Sequence, residues 1–107
     1  MDLQYIKHYI AALPAMAQPH QEKIRGRDGT IKLAVGEAGT YMVTLRDGVV
    51  ATEEGDGSAD VTVRMSPQDF TKLTNGTLNV LAAAALGRIR FEGDMSLLIQ
   101  LRAAFEG

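Results

Sequence analysis

The sequence predicts an α+β fold, a five-stranded and mainly antiparallel sheet covered by helices. Apolar residues recur with a helical period of about 3.6 near both ends of the chain and with a period of 2 in its middle. Most of the strand-like segments come in one run, with helical segments before and after it, instead of alternating with helices. This order is typical of helices packed on one face of an antiparallel sheet.

Length and composition predict one small globular domain spanning residues 1–107. The chain has 46% apolar and 22% charged residues and a net charge of -2, which provides no basic field to attract nucleic acid. The absence of cysteine excludes disulfides, thiolate metal sites and a cysteine nucleophile. No apolar run is long enough to span a membrane, and the N-terminus does not resemble a signal peptide. We therefore expect a cytoplasmic protein.

The first helix is predicted from Leu3, Ile6, Ile10 and Leu13, which share one face, with Asp2 as its cap. Pro14 should end or kink this helix. Residues 15–27 contain a second proline and a glycine, and they are interpreted as a connector with a helical turn.

Four strands follow, each with alternating apolar residues. Their segments are 31–35, 41–45, 49–52 and 61–65. The pair Asp47 and Gly48 predicts a hairpin between the second and third strands. Residues 53–58 form an acidic, glycine-containing segment that predicts a loop.

The second half begins with Ser66, a good helix cap, followed by proline at the first helical position. This helix should end at Gly76. Asn79 caps a further helix over 80–86, residues 88–92 alternate as a fifth strand, and Asp94 begins a last helix that ends near Phe105.

The last two helices have unusual surfaces. The final helix is apolar almost all round, with only Ser96 and Gln100 marking a polar stripe, so it needs cover on two sides. The helix before it contains four consecutive alanines, residues 82–85, whose small side chains can leave an apolar gap or allow close packing. A second helix, a partner subunit or a bound apolar ligand could each supply the cover.

The segment from Ala59 to Leu101 resembles the sterol carrier protein 2 (SCP-2) family. The resemblance lies in three blocks in the same order as in the family. They are the strand that leads into a helix at 59–70, the end of that helix at 73–79, and a glycine–strand–glycine–helix segment at 86–95. Leucines follow at positions 97 and 101. The chain departs from the family pattern at Val80, where proline is common, and at Ala84 and Ala85, where aromatic residues are common.

The resemblance implies an SCP2-like lipid carrier without catalytic activity, cofactor or metal. Its ligand would be a fatty acid, fatty acyl-CoA, sterol or phospholipid-like molecule in an apolar tunnel between the sheet and the C-terminal helices. The residues expected by position to line this tunnel are Phe70, Leu73, Leu78, Leu81, Ala84, Ala85, Ile89, Phe91, Met95, Leu98 and Ile99. The alternative is a ligand-free interaction module of the same fold that buries its last helix in a dimer or larger complex.

Other polar residues give no stronger candidate site. His8 and His20 lack a carboxylate at metal-binding spacing, and the acidic loop lacks the ligand order of an EF-hand. A basic run that begins at Lys23 and ends at Lys32 could meet a lipid headgroup, although a solvated face explains it as well. Transient membrane contact and a monomeric or homodimeric state are both compatible with the sequence, whereas an integral span is not.

Overall fold

The structure, a computed structural model, describes residues 3–106 of the chain and the side chains of residues 3–100. Short 3-10 turns lie at Gln18–His20 and Gly36–Ala38. The helices and strands are α1 Leu3–Ala17, α2 Gln21–Ile24, β1 Gly29–Val35, β2 Thr40–Arg46, β3 Val49–Glu54, β4 Val61–Met65, α3 Pro67–Thr74, α4 Val80–Ala85, β5 Arg90–Gly93 and α5 Met95–Glu106.

The five strands form one sheet in the order β3-β2-β1-β4-β5, which confirms the predicted fold class. Three neighbouring pairs are antiparallel, and β1 and β4 are parallel. The parallel pair arises because the acidic loop returns across the sheet instead of making a hairpin. This loop starts with a hydrogen bond from Gly55 N to Thr40 O and ends with one from Asp60 N to Thr30 O, at the opposite end of β1 and β2.

One face of the sheet forms the core together with the helices, and we call the other the outer face. The alternating residues Ile31, Val43 and Val63 are buried on the core face, together with Ile6 and other apolar residues of α1. The intervening strand residues are partly or fully exposed on the outer face. The acidic loop crosses this face, where the Asp56 carboxylate lies 2.7 Å from the Lys32 ammonium.

The local signals at turns and helix starts are mostly confirmed. Asp47 and Gly48 both have positive φ, 50° and 80°, as the tight hairpin between β2 and β3 requires. Ser66 Oγ accepts a hydrogen bond from Asp69 N at the start of α3. Pro14 lies inside α1, which continues to Ala17. The predicted cap residue Asp2 lies outside the described residues.

Candidate functional site

The apolar interior beneath α3 is built from aromatic and branched side chains. Phe70 is buried and meets Tyr9 of α1 edge to face, with 5.7 Å between the ring centroids. Tyr5 stands 6.0 Å from Tyr9, and its hydroxyl lies 2.6 Å from Thr74 Oγ1, which joins α1 to α3. Burial, with a smaller contribution from Tyr5, raises the pKa of the Tyr9 phenol. An uncharged Tyr9 at neutral pH suits this apolar surrounding.

The residues expected to line a tunnel separate into an inner and an outer group. Phe70 and Ile89 are buried in the core. Leu78, Phe91 and Leu98 are partly buried and pack against the core, and Ala84 is half-buried. The remaining members of the set are exposed, namely Leu73, Leu81, Ala85, Met95 and Ile99. The structure therefore brings only the inner group together, and their role in binding lipid stays a prediction.

Helix α4 is held to the rest of the molecule by little apolar contact. Ala83 is its only buried residue, with 2% of its surface exposed. Leu81 is 84% exposed and Leu86, directly after the helix, is 74% exposed. Gly76 and Gly87, which flank this segment, both have positive φ and open space around them. Helix α4 is thus a six-residue helix that buries one alanine and leaves large apolar side chains exposed.

Helix α5 has a similar imbalance in its described side chains. Leu97 is buried, and its side chain lies so close to Gly29 that a Cβ there would meet it at 2.5 Å. Leu98 packs against the core from one side of the helix. Ile99 is 62% exposed and Met95 is 36% exposed. Within residues 95–100, the side of α5 that carries Met95 and Ile99 is therefore not covered by another part of the molecule.

Two cavities open elsewhere on the described surface. The larger, about 460 Å³, lies at the outer face of the sheet, where Ala34 and three arginines contribute to its lining. The smaller, about 120 Å³, lies between the end of α1 and the hairpin at Gly48. Neither cavity is lined by a residue of the predicted lipid-binding set. These two cavities therefore do not correspond to the tunnel that the family resemblance implies.

The three arginines at the larger cavity, Arg64, Arg88 and Arg90, were not singled out from the sequence. Arg64 and Arg90 follow the alternation of their strands, so the sequence shows that they face outward. Their juxtaposition depends on the pairing of β4 with β5, which no local pattern reveals. Arg88 forms an ion pair with Asp69, whose side chain is almost fully buried at the start of α3.

The other polar candidates, the basic run and the acidic loop, form local ion pairs and hydrogen bonds. Arg25 lies 3.2 Å from Glu22 and 3.7 Å from Asp47, so the basic run does not present a single uncompensated surface. A hydrogen bond from Lys32, followed by one from the Gly57 backbone, lowers the pKa of Asp56. Within residues 3–100 no group of three or more histidine or carboxylate side chains is placed to hold a metal ion.

Comparison with known proteins identifies relatives over most of the chain. A family model described as the SCP-2 sterol transfer family matches residues 8–106. Hydroxysteroid dehydrogenase-like protein 2 of Bos taurus is 31% identical over 84 residues, which make up 77% of this chain and 18% of that protein. The chain thus spans a small part of that longer relative.

Solved structures share the fold. The palmitated SCP2L2 protein of Aedes aegypti is 25% identical, with a TM-score of 0.70, over 100% of this chain and 96% of that one. The sec-alkylsulfatase Pisa1 of Pseudomonas sp. is 23% identical with a TM-score of 0.73, over 92% of this chain and 15% of that chain. No helix in residues 3–106 is both long and apolar enough to cross a membrane.

Proposed function

The chain belongs to the SCP-2 sterol transfer family, and we propose from this that it is a non-catalytic lipid carrier. Its ligand is a fatty acid or another molecule with a long apolar part, such as a fatty acyl-CoA, sterol or phospholipid. The palmitated Aedes aegypti relative, similar along nearly its whole length, supports a fatty acyl chain as the first candidate. The binding space is the interior between the sheet and the segment from α3 to α5.

The observation that carries this proposal is the weak attachment of α4 over an apolar interior. A helix whose only buried side chain is an alanine gives up little hydrophobic free energy when it moves away. Gly76 and Gly87 supply backbone freedom at either end of the moving segment. Ala83 belongs to the same buried apolar cluster as Phe70 and Ile89, and this cluster is the surface that a lipid would contact.

Binding would exchange one apolar contact for a larger one. Moving α4 exposes Ala83 and part of the interior, and an acyl chain entering there removes both its own surface and the protein surface from water. The gain is about 25 cal/mol for each Å² of apolar area buried, before the ordering costs of the chain. Leu81 and Leu86, which are exposed, would contact the ligand or a lipid surface while α4 is displaced.

Catalysis is not part of this proposal. The inner group consists of apolar side chains, and groups such as Phe70 and Leu98 offer no acid, base or nucleophile. The dehydrogenase-like relative is much longer than the shared segment, which covers 18% of it. A reaction named for that protein need not reside in the segment that the two have in common.

A fluorescent fatty acid provides the test, because its emission rises when protein protects it from water. We expect the wild-type chain to bind this probe and unlabelled palmitate to displace it. Ala84→Asp should weaken uptake about tenfold, since an acyl chain packed against this half-buried position would take the new carboxylate out of water. Its matched control is Ala85→Asp, at the exposed neighbouring position, which should bind within about twofold of wild type.

Circular dichroism would verify that both variants are folded. No protection of the probe by wild-type protein would contradict the carrier proposal. Equal uptake by the two variants would contradict the placement of the ligand beneath α4 while leaving lipid binding intact.

The exposed Ile99 favours one alternative, an interaction module that buries the outer side of α5 against a second copy. This alternative expects a concentration-dependent dimer that Ile99→Glu dissociates, with no uptake of the fatty acid probe. The carrier proposal expects a monomer that holds the probe. Analytical ultracentrifugation with and without palmitate distinguishes the two.

A further inference from the structure

The outer face of the sheet carries a second candidate site, distinct from the apolar interior. Paired residues form a row across four strands, in which Thr40 pairs with Ala34, Ala34 with Arg64, and Arg64 with Arg90. This row is part of the lining of the cavity of about 460 Å³. Arg88 and the glycines at 36 and 87 lie at its rim, at the carboxyl ends of β1 and β4.

Two of these arginines stand in an electrostatically unfavourable position. Arg64 and Arg90 are directly opposite each other in neighbouring antiparallel strands, where like charges destabilise the pairing. Arg64 has one loose ion pair, 3.8 Å from the exposed carboxylate of Glu92. Arg90 has no ion pair among the residues whose side chains are described. An anion between the two guanidinium groups would turn this repulsion into attraction.

The third arginine is held in place from behind. Arg88 forms its ion pair with Asp69, whose side chain is 4% exposed, while the Arg88 side chain remains 45% exposed. This contact fixes the chain between α4 and β5 and keeps a guanidinium group at the rim of the cavity. Among the described residues that line the cavity there is no carboxylate, although the chain as a whole has a net charge of -2.

We propose that this cavity binds an organic phosphate through Arg64 and Arg90, with Arg88 at its rim. Guanidinium groups match phosphate oxygens with paired hydrogen bonds, and this geometry favours phosphate over a simple halide ion. Ala34, Gly36 and Gly87 have small or no side chains, which leaves space beside the arginines. The cavity volume exceeds that of a single phosphate group, so it leaves room for the rest of an ester.

This site does not depend on the proposed lipid-carrier function, because Arg64 and Arg90 lie on the face of the sheet opposite the apolar interior. The core residues Val35 and Met65 line the cavity only where their strands end. The phosphate can come from a soluble ester or from the headgroup of a lipid at a membrane surface. Both sources share the chemistry that the arginines recognise.

Amide NMR spectra of the full chain provide the test. Glycerol 3-phosphate, at ionic strength matched with sodium chloride, should shift the amide signals of Gly36 and Gly87 and not those of Ile6 and Ile10 in α1. Arg90→Gln should weaken this binding about tenfold or more, because it removes a charged hydrogen-bond donor. Arg46→Gln, at an exposed position outside the cavity, is the matched control and should change binding by less than about twofold.

Vesicles separate the two sources. If the soluble ester leaves the spectrum unchanged, the protein is sedimented with vesicles. A lipid phosphate is supported when wild type binds phosphatidic acid vesicles and not phosphatidylcholine vesicles. This binding should be lost in Arg90→Gln and kept in Arg46→Gln. Absence of binding to both probes overturns the proposal, as does equal weakening by the two variants. Palmitate uptake is measured in parallel, so failure here is distinct from failure of the carrier function.

Discussion

The N-terminal layer and the C-terminal cover of this molecule contrast in how they are fixed to the sheet. Helix α1 inserts Ile6 and Ile10, which are 0% and 2% exposed, into the core beside β3. Helix α4 inserts only Ala83 and leaves Leu81 in solvent. Both helices are apolar, yet one directs its large side chains inward and the other outward.

From this contrast we expect the molecule to open at α4 without unfolding. Local opening free energies follow the amount of apolar surface that a segment buries and are lowest in lightly packed segments. The core between α1 and the sheet is therefore expected to maintain the fold while α4 moves. A carrier needs both properties, because it must admit a large ligand and still return to one structure.

The largest effect should come from emptying the N-terminal layer. Ile6→Ala removes a fully buried side chain and should lower the free energy of unfolding by about 2–5 kcal/mol, because a cavity remains. Leu81→Ala, on the exposed side of α4, should change it by less than about 0.5 kcal/mol. Urea denaturation measures both. Similar losses in the two variants would contradict the contrast between the layers.

A somewhat smaller effect is expected where the C-terminal segment is fastened to the sheet. Gly93 has φ of 107°, and a Cβ there would lie 2.2 Å from the Asp60 carbonyl oxygen. Gly93→Ala should therefore destabilise the protein by about 2–4 kcal/mol, since the backbones must separate.

Gly87 offers a matched comparison, because it also has positive φ, but no described atom outside Gly87 and its two chain neighbours lies within 4 Å of the position that a Cβ would take. Gly87→Ala should cost about 1 kcal/mol, from backbone conformation alone. Thermal unfolding of the two variants checks the difference. A cost at Gly87 as large as that at Gly93 would show that the ends of α4 are more constrained than their surroundings indicate.

The ion pair between Arg88 and Asp69 is the polar link between α3 and the segment after α4. Arg88→Met leaves the buried Asp69 carboxylate without its cation and should cost about 1–3 kcal/mol, moderated by the exposure of Arg88. Adding Asp69→Asn should recover part of this loss, because the buried charge is removed. A double-mutant cycle in urea measures the coupling, and additive losses would show that the pair contributes nothing.

The smallest effect concerns the acidic loop over the outer face. The hydrogen bond from Lys32 holds the pKa of Asp56 below its ordinary value of 3.8. Because this pKa is lower in the folded state, the contribution of Asp56 to the free energy of unfolding is present above about pH 4. It is lost as the pH falls through the pKa of the folded protein. Asp56→Asn should remove that part of the acid dependence of unfolding. The measurement is the change in the urea midpoint between neutral and acid pH for each protein. Equal changes in wild type and Asp56→Asn would contradict the link.

The sequence was sufficient where structure depends on neighbouring residues in the chain. Ser66 and Pro67 predicted the start of α3, and Asp47 with Gly48 predicted the hairpin, because caps and turns are set by local backbone chemistry. The period of the apolar residues predicted which strand residues face the core. The parallel pairing of β1 with β4 is a refinement that the sequence did not reveal, since it depends on a loop crossing the sheet.

The candidate sites depend on relations that local patterns do not contain. Leu81 and Ala83 are both apolar residues of one helix, and only the docking of α4 decides that Ala83 faces inward. Arg64 and Arg90 are far apart in the chain, and only the register of two strands places them opposite each other. The resemblance to a family predicted the fold and the ligand class, whereas the position of each side chain required the structure.

Native mass spectrometry of the purified chain, followed by denaturation and organic extraction, tests the proposed carrier function most directly. We predict a mass excess of close to one lipid per chain that disappears on denaturation, with a fatty acid or other long apolar molecule in the extract. The adduct should be reduced in Ala84→Asp and kept in Ala85→Asp. A bare wild-type mass, together with no displacement of the fluorescent probe by palmitate, would show that the chain does not carry lipid.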